Sequence, residues 1–290
     1  MAFLLALLPC FLFGTQQLIM GAWPARPRRQ NVAVLAGAGV VSVVAAPLTG
    51  GAWSLHATFW GVLSGVLWAT ALVFTLRAFQ SWGVSRTMPL NASGQIIINA
   101  LAGIILLGEW RAPGAMPLGL TALVAIIAGA ASCSWQEKGA GSGPTPAQHR
   151  EGLICSIICS VLYGIYPFML RLVDVSSSDA VGPMGIGLLL GAAVFTVILP
   201  REEPLVGEAF TPSAIGGGLW AVGNVILLLS TSTVGVATSL ALSQLAFVIS
   251  SVGGIILLGE TRTRREALTT ALGITLAVVG IILLALASSR

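Results

Sequence analysis

The chain has 290 residues, of which 56% are hydrophobic and only 8% charged, and its mean hydropathy is +0.94. A soluble domain carries about 25% charged residues, so a water-soluble fold is excluded, and disorder with it. Lys and Arg number 14 against 10 Asp and Glu, a net charge of +4, but these cations fall in short segments between apolar runs. No basic stripe exists for nucleic acid.

The apolar runs are continuous rather than alternating, which predicts helices and not the strands of a membrane barrel. At about 20 residues per span they predict an all-α membrane protein of ten transmembrane helices. In chain order these cover 3–23, 31–51, 57–80, 84–107, 115–135, 152–172, 181–200, 213–232, 235–258 and 266–287. The opening run, MAFLLALLPCFLFG, lacks a positive start and a small-residue cleavage site, so it reads as a retained first helix rather than a signal peptide. After the fifth span comes QEKGAGSGPTPAQHRE, polar and rich in Gly and Pro, with the composition of a flexible linker. It divides the chain into a five-helix unit over 1–137, a linker over 138–150 and a second five-helix unit over 151–290.

The two units repeat. GIILLGE-x-R occurs at Gly103–Arg111 and at Gly254–Arg262, Leu67-Trp68-Ala69 matches Leu219-Trp220-Ala221, and Gly83-Val84 matches Gly235-Val236. Matches that stay in register point to duplication. Each unit holds an odd number of spans, so the copies are expected to be inverted in the membrane, a recurring plan of alternating-access transporters. Loops after odd-numbered helices hold or abut most of the cations, from Arg26 to Arg265. The other side has only Arg111, Arg171 and Arg290. The count predicts a cell-membrane protein with both termini outside.

Charge at mid-bilayer is costly, so the polar groups held there report on the cargo. Every carboxylate falls in a loop or at a helix end, which favours a neutral, polar substrate. Asn91, Gln95 and Asn99, spaced four apart, share one face of the fourth helix. Ser243 and Gln244 lie in its repeat mate, Asn224 in the eighth span, and Tyr163 and Tyr166 in the sixth. Trp68 and Trp220 sit well inside their spans. Amides supply donors and acceptors for sugar hydroxyls, and aromatic rings pack against sugar C–H faces. Singly, such amides serve equally well as helix glue, and Trp as an interface anchor. Pro89 and Pro167 each free a backbone carbonyl, at a break or a simple kink. Glu109 and Glu260 close their helices where the dipole disfavours an anion, with Arg111 and Arg262 two residues on. They are either a duplicated loop clamp or a gating or coupling pair. Cys155 and Cys159 share a face with no His or carboxylate beside them, so no metal site or cofactor is expected.

The stretches GVLWATALVFTLRAFQSWGVSRTMPL (Gly65–Leu90) and LWAVGNVILLLSTSTVGVATSLALSQLAFVISSVGGIILLGETRTRRE (Leu219–Glu266), with the duplicated LLGE, resemble the drug/metabolite transporter superfamily. Within it they are most similar to the glucose/ribose uptake branch, related to rhamnose–proton symporters. The resemblance implies a secondary carrier that imports a monosaccharide with proton coupling. It puts Trp68, Asn91, Gln95, Trp220, Asn224, Ser243 and Gln244 at the cavity. The absence of a mid-membrane carboxylate leaves the coupling open. An exporter of amino acids or other metabolites is the alternative, since one fold serves many solutes. A homodimer is compatible with either.

Overall fold

The computed structural model describes residues 2–106, 113–135, 137, 144–234, 239 and 242–288. Among these residues the chain is helical: α1 (Ala2–Ala22), α2 (Pro27–Ala45), α3 (Leu55–Trp82), α4 (Val84–Leu106), α5 (Ala115–Ser134), α6 (Pro146–Leu172), α7 (Ser177–Ile198), α8 (Phe210–Val234), α9 (Ala246–Ile256) and α10 (Arg264–Ser288), with a 3-10 turn over Ala46–Thr49. Among the described residues, nine helices are long and apolar enough to span a bilayer, and Leu242–Ile256 forms a shorter apolar segment. Val44, Leu48, Ile105 and Leu257 stand exposed on the outside, an arrangement that suits lipid and not water. The chain is a multi-pass membrane protein.

Local signals set the helix ends. Ser54 caps α3 by accepting from the Ala57 N–H at 3.0 Å, and Ser176 caps α7 at the Asp179 N–H at 3.1 Å. Thr145 and Gln148 form a reciprocal capping box, so α6 starts at Pro146 instead of 152. Its polar first turns hid that start from the hydropathy pattern. Proline at the first helical position likewise starts α2 at Pro27, four residues early. Helices α4 and α6 run on past Pro89 and Pro167, so neither proline marks a break. The interruption falls instead at Leu245, just before α9. There the N–H groups of Leu245 and Val248 reach carbonyls three residues back, at 3.1 and 3.0 Å.

Glycines fix the closest crossings. Gly65 of α3 lies on the Met184 carbonyl of α7, and Gly187 of α7 lies on the Val62 carbonyl of α3. Gly217 of α8 lies on the Val34 carbonyl of α2, and Gly37 of α2 on the Ala214 carbonyl of α8. A Cβ at any of the four would overlap backbone. Helices α5 and α10 meet in the same manner, Gly129 on the Gly273 carbonyl and Gly280 on that of Ala122. Close backbone approach of this kind holds membrane helices together where lipid removes the hydrophobic drive. Helix α3 packs on α6 and α7, α8 on α1 and α2, α4 on α6 and α9, and α1 on α9. A core of Trp68, Leu72, Leu76, Leu35 and Leu188 lies inside.

Candidate functional site: a central cavity closed at one end

Between α1, α3, α4, α6, α8, α10 and the interrupted segment before α9 lies a cavity of about 340 Å³, within the range of small-molecule sites. Trp68, Asn91, Gln95, Tyr163, Trp220, Asn224, Ser243 and Gln244 all line it. Trp68 and Trp220, which occupy matching places in the two repeats, stack with centroids 4.3 Å apart and a tilt of 40°. Tyr163 stands 5.7 Å from Trp68, and the Thr75 hydroxyl donates to the Tyr163 hydroxyl at 3.5 Å. These rings form an apolar wall with a polar rim.

The facing wall is the amide row of α4. Asn91 is tied to α6, its Oδ1 accepting from the Ser160 hydroxyl at 3.4 Å. The Asn99 amide donates to the Gln95 carbonyl at 2.9 Å. Helix α1 adds Gln16, whose amide points at the Met20 sulfur at 3.6 Å, and Gln17, whose Oε1 is buried without a partner. Ser243 and Gln244 enter where the helix is interrupted, the place where freed backbone can face a cavity. No carboxylate or histidine occurs among the described residues of the lining. The cavity therefore offers neutral donors, acceptors and ring faces, with Arg171 at one end.

Several lining residues were not singled out by the sequence reading: Gln16, Gln17, Thr75 and Arg171. The repeated sequence motifs carried a usable signal. The weak match of Phe13-Gly14 with Tyr163-Gly164, at an offset of 150, pairs Gln16 with Tyr166, and the offset of 152 shared by Trp68 and Trp220 pairs Thr75 with Leu227 and Leu72 with Asn224; all six line the cavity. Trp60, also on α3, is not part of the lining and packs near Ala57 and Leu170. Ser239 hydrogen-bonds Ser230 at 2.9 Å and serves as helix glue.

The two ends of the cavity differ. Toward Asn99, Arg171 and Leu284 the lining becomes progressively exposed, whereas Met20, Met88 and Phe247 at the other end are buried. Beyond them lies a charge network. Glu260 was expected at a helix C-terminus, but α9 ends at Ile256 and the chain turns at Gly259, with φ 66°. The turn carries the Glu260 carboxylate onto the start of α4. It accepts from the Val84 N–H at 2.6 Å, the Ser85 N–H at 3.1 Å and the Ser85 hydroxyl. A helix N-terminus favours an anion, so the dipole penalty becomes a gain. Gly83, at φ 80°, is needed here twice, since a Cβ would also overlap that carboxylate.

Arg262 donates to the Ser85 hydroxyl at 3.0 Å, the Cys133 carbonyl at 2.9 Å and the Thr270 hydroxyl at 2.9 Å. Burial, and then the nearby Arg86, pull its guanidinium down to about 10, so it stays cationic at neutral pH. Arg86 and Glu266 form a buried ion pair at 3.3 Å. Glu266 also caps α10 in a box with Thr263 and accepts from the Glu137 N–H at 3.0 Å. The network fastens the start of α4, the end of α5 and the start of α10 together. Glu109 and Arg111, the partners of Glu260 and Arg262 in the repeat, lie outside the described residues.

Comparison with known proteins follows the same outline. A family model described as "Sugar transport protein" matches residues 4–287. The glucose uptake protein GlcU of Bacillus subtilis is 34% identical over 290 residues, covering 100% of both chains. A putative sugar uptake protein of Listeria monocytogenes is 32% identical over 290 residues, again 100% of both. A probable GlcU of Priestia megaterium is 34% identical over 294 residues, 98% of this chain and 99% of that one. These relatives are named as uptake proteins, not enzymes. A solved crystal structure, 18% identical, superposes with a TM-score of 0.60 over 100% of this chain and 98% of that chain, a likeness of fold alone. By a family match over almost its entire length, and by relatives of equal length at about a third identity, the chain belongs to the sugar transport protein family.

Proposed function

We propose that this protein is a secondary carrier that imports a neutral monosaccharide such as glucose by alternating access. The observation that carries the reading is the cavity itself: amides from α1, α4 and α8 face a stacked Trp68–Trp220 wall, and no fixed anion faces a sugar there among the described residues. Relatives named as glucose uptake proteins support the substrate class. Trp68, Asn91, Gln95, Tyr163, Trp220, Asn224, Ser243 and Gln244 hold the sugar. The rings take its C–H faces and the amides its hydroxyls.

Two inverted five-helix repeats provide the alternation. The crossings support this: exchanging the halves turns the Gly65–Met184 contact into Gly217–Val34, and Gly187–Val62 into Gly37–Ala214. The end sealed by Glu260 and the Arg86–Glu266 pair carries most of the cations, so it faces the cytoplasm and the cavity opens outward. Glu260 is a gate clamp, and the repeated sequence motif extends that role to Glu109. With no carboxylate or histidine in the described lining, a coupled proton would bind elsewhere, and we read the flux as running down the sugar gradient.

Uptake of labelled monosaccharides and amino acids into vesicles of the purified protein tests the reading. Saturable glucose flux, lost in Trp220→Ala while the protein stays folded, supports it. Flux of amino acids alone overturns it in favour of an exporter. Accumulation of glucose driven by an imposed pH gradient overturns the uncoupled mechanism while leaving the substrate assignment intact.

A further inference from the structure

A second concavity, of about 880 Å³, lies on the opposite face of α4 from the central cavity, between α4, α5 and the start of α6. Its inner length is apolar, with Leu90 and Ile97 on α4, Ile127 and Ala131 on α5, and Leu153 on α6. Ile127, Ala131 and Leu153 are exposed, so this groove opens sideways to lipid. Seven residues separate Leu90 from Ile97 and Ile127 from Ser134. At 1.5 Å per residue the groove runs about 10 Å into the membrane, most of one leaflet's ~15 Å of hydrocarbon.

The outer end of the groove is polar and incomplete. Trp82 is only 3% exposed, and its indole Nε1 is buried without a hydrogen-bond partner. The Ser134 hydroxyl, also in the lining, is buried without a partner as well. Buried donors left unpaired are costly, and an indole N–H can only donate. Whatever completes this end must bring acceptor oxygens at the level where the membrane turns polar. The Trp82 ring is wedged in place by Gly152 and by His149, whose ring lies 5.0 Å away. Glu137, in the same lining, is neutralised by Arg265 at 3.1 Å and accepts from Thr263 at 2.8 Å. Arg150, exposed, follows His149.

We propose that this groove binds one phospholipid of the leaflet on the linker side. An acyl chain fills the trough along α4 and α5. The glycerol-ester or phosphate oxygens accept from Trp82 Nε1 and Ser134 Oγ, with Arg150 on the phosphate side. A hydrocarbon chain alone satisfies the trough but neither donor. Because α4 is the wall between groove and cavity, a bound lipid supports the helix that carries Asn91 and Gln95.

The test is native mass spectrometry of the full-length protein in mild detergent, titrated with dioleoylphosphatidylglycerol and, separately, dioleoylphosphatidylethanolamine. The expected result is one tightly retained phospholipid per chain. Trp82→Phe combined with Ser134→Ala, which keeps the ring that packs on Gly152, lowers affinity about tenfold through two lost hydrogen bonds. Ala131→Phe, an exposed position whose larger side chain fills the trough, also displaces the lipid. Melting temperatures without added lipid verify that both variants fold. A preference for the anionic phosphatidylglycerol over zwitterionic phosphatidylethanolamine, which carries the same phosphate, adds a contribution of Arg150 to the headgroup's net charge, and equal binding of both lipids rests the site on the two donors alone. Unchanged retention in the double variant overturns the proposal. So does wild-type protein that retains no phospholipid.

Discussion

Replacing Glu260 by Gln tests whether one carboxylate holds the closed end. The side chain accepts from two backbone N–H groups at the start of α4 and from the Ser85 hydroxyl, which in turn receives Arg262. Gln keeps the shape but loses the charge, and its NH₂ group must face donors. A hydrogen bond to a charged group contributes about 1.5–3 kcal/mol, and an anion at a helix N-terminus about 0.3–2 kcal/mol. These contributions overlap, so a net loss of about 2–4 kcal/mol is expected, or about 30- to 1000-fold in the equilibrium between closed and open ends. The reporter is Thr87→Cys, fully buried behind the clamp in the first turn of α4, in a background without Cys10, Cys133, Cys155 and Cys159. A membrane-permeant maleimide makes the readout independent of which side is cytoplasmic. Labelling should accelerate at least 30-fold in Glu260→Gln under conditions where the variant remains folded by its melting profile. Equal labelling rates in the two proteins would refute the clamp and leave Glu260 a passive loop contact.

Three further outcomes are expected. Asn224→Ala removes one neutral hydrogen-bonding group from the cavity and should weaken glucose binding about tenfold, measured by Trp fluorescence titration, with little change in stability. Gly217→Val drives a side chain into the Val34 carbonyl and should cost about 3 kcal/mol or more, abolishing folded protein in size-exclusion profiles; Gly216→Ala, whose Cβ would have its closest contact at 3.6 Å, should be tolerated. A cysteine at Arg264 should react with an impermeant reagent only after the cells are opened, and labelling from outside would reverse the proposed orientation.

Much of the architecture was legible because the bilayer imposes simple rules on composition. Continuous apolar runs had to be helices, and the α1, α3, α4 and α5 boundaries agree with the pattern to within about two residues. The α6 start was hidden because Pro146–Glu151 is polar and its helix is set by a cap, not by hydropathy. The interruption at Leu245 was hidden because no proline or glycine marks it, while Pro89 and Pro167, which looked like breakers, sit in continuous helices. Neighbouring helices can satisfy what a proline frees.

The amide row and the paired tryptophans could be read from spacing and repetition, because a polar side chain at mid-span needs a reason to be there. Gln17 could not, since nothing in one helix says which neighbour its polar face meets, and Gln16 and Thr75 were marked only through their counterparts in the repeat. Glu260 shows the limit most sharply. By sequence it ends a helix whose dipole opposes it. Only the tertiary turn at Gly259, carrying it to the start of a helix 176 residues away, makes that anion favourable. Composition and periodicity determined the solvent, the spans and the neutral character of the interior, because those follow from the cost of charge in hydrocarbon. Which polar groups share a cavity, which end of it is sealed, and which donors remain unpaired were decided by helix crossings that only the folded chain defines.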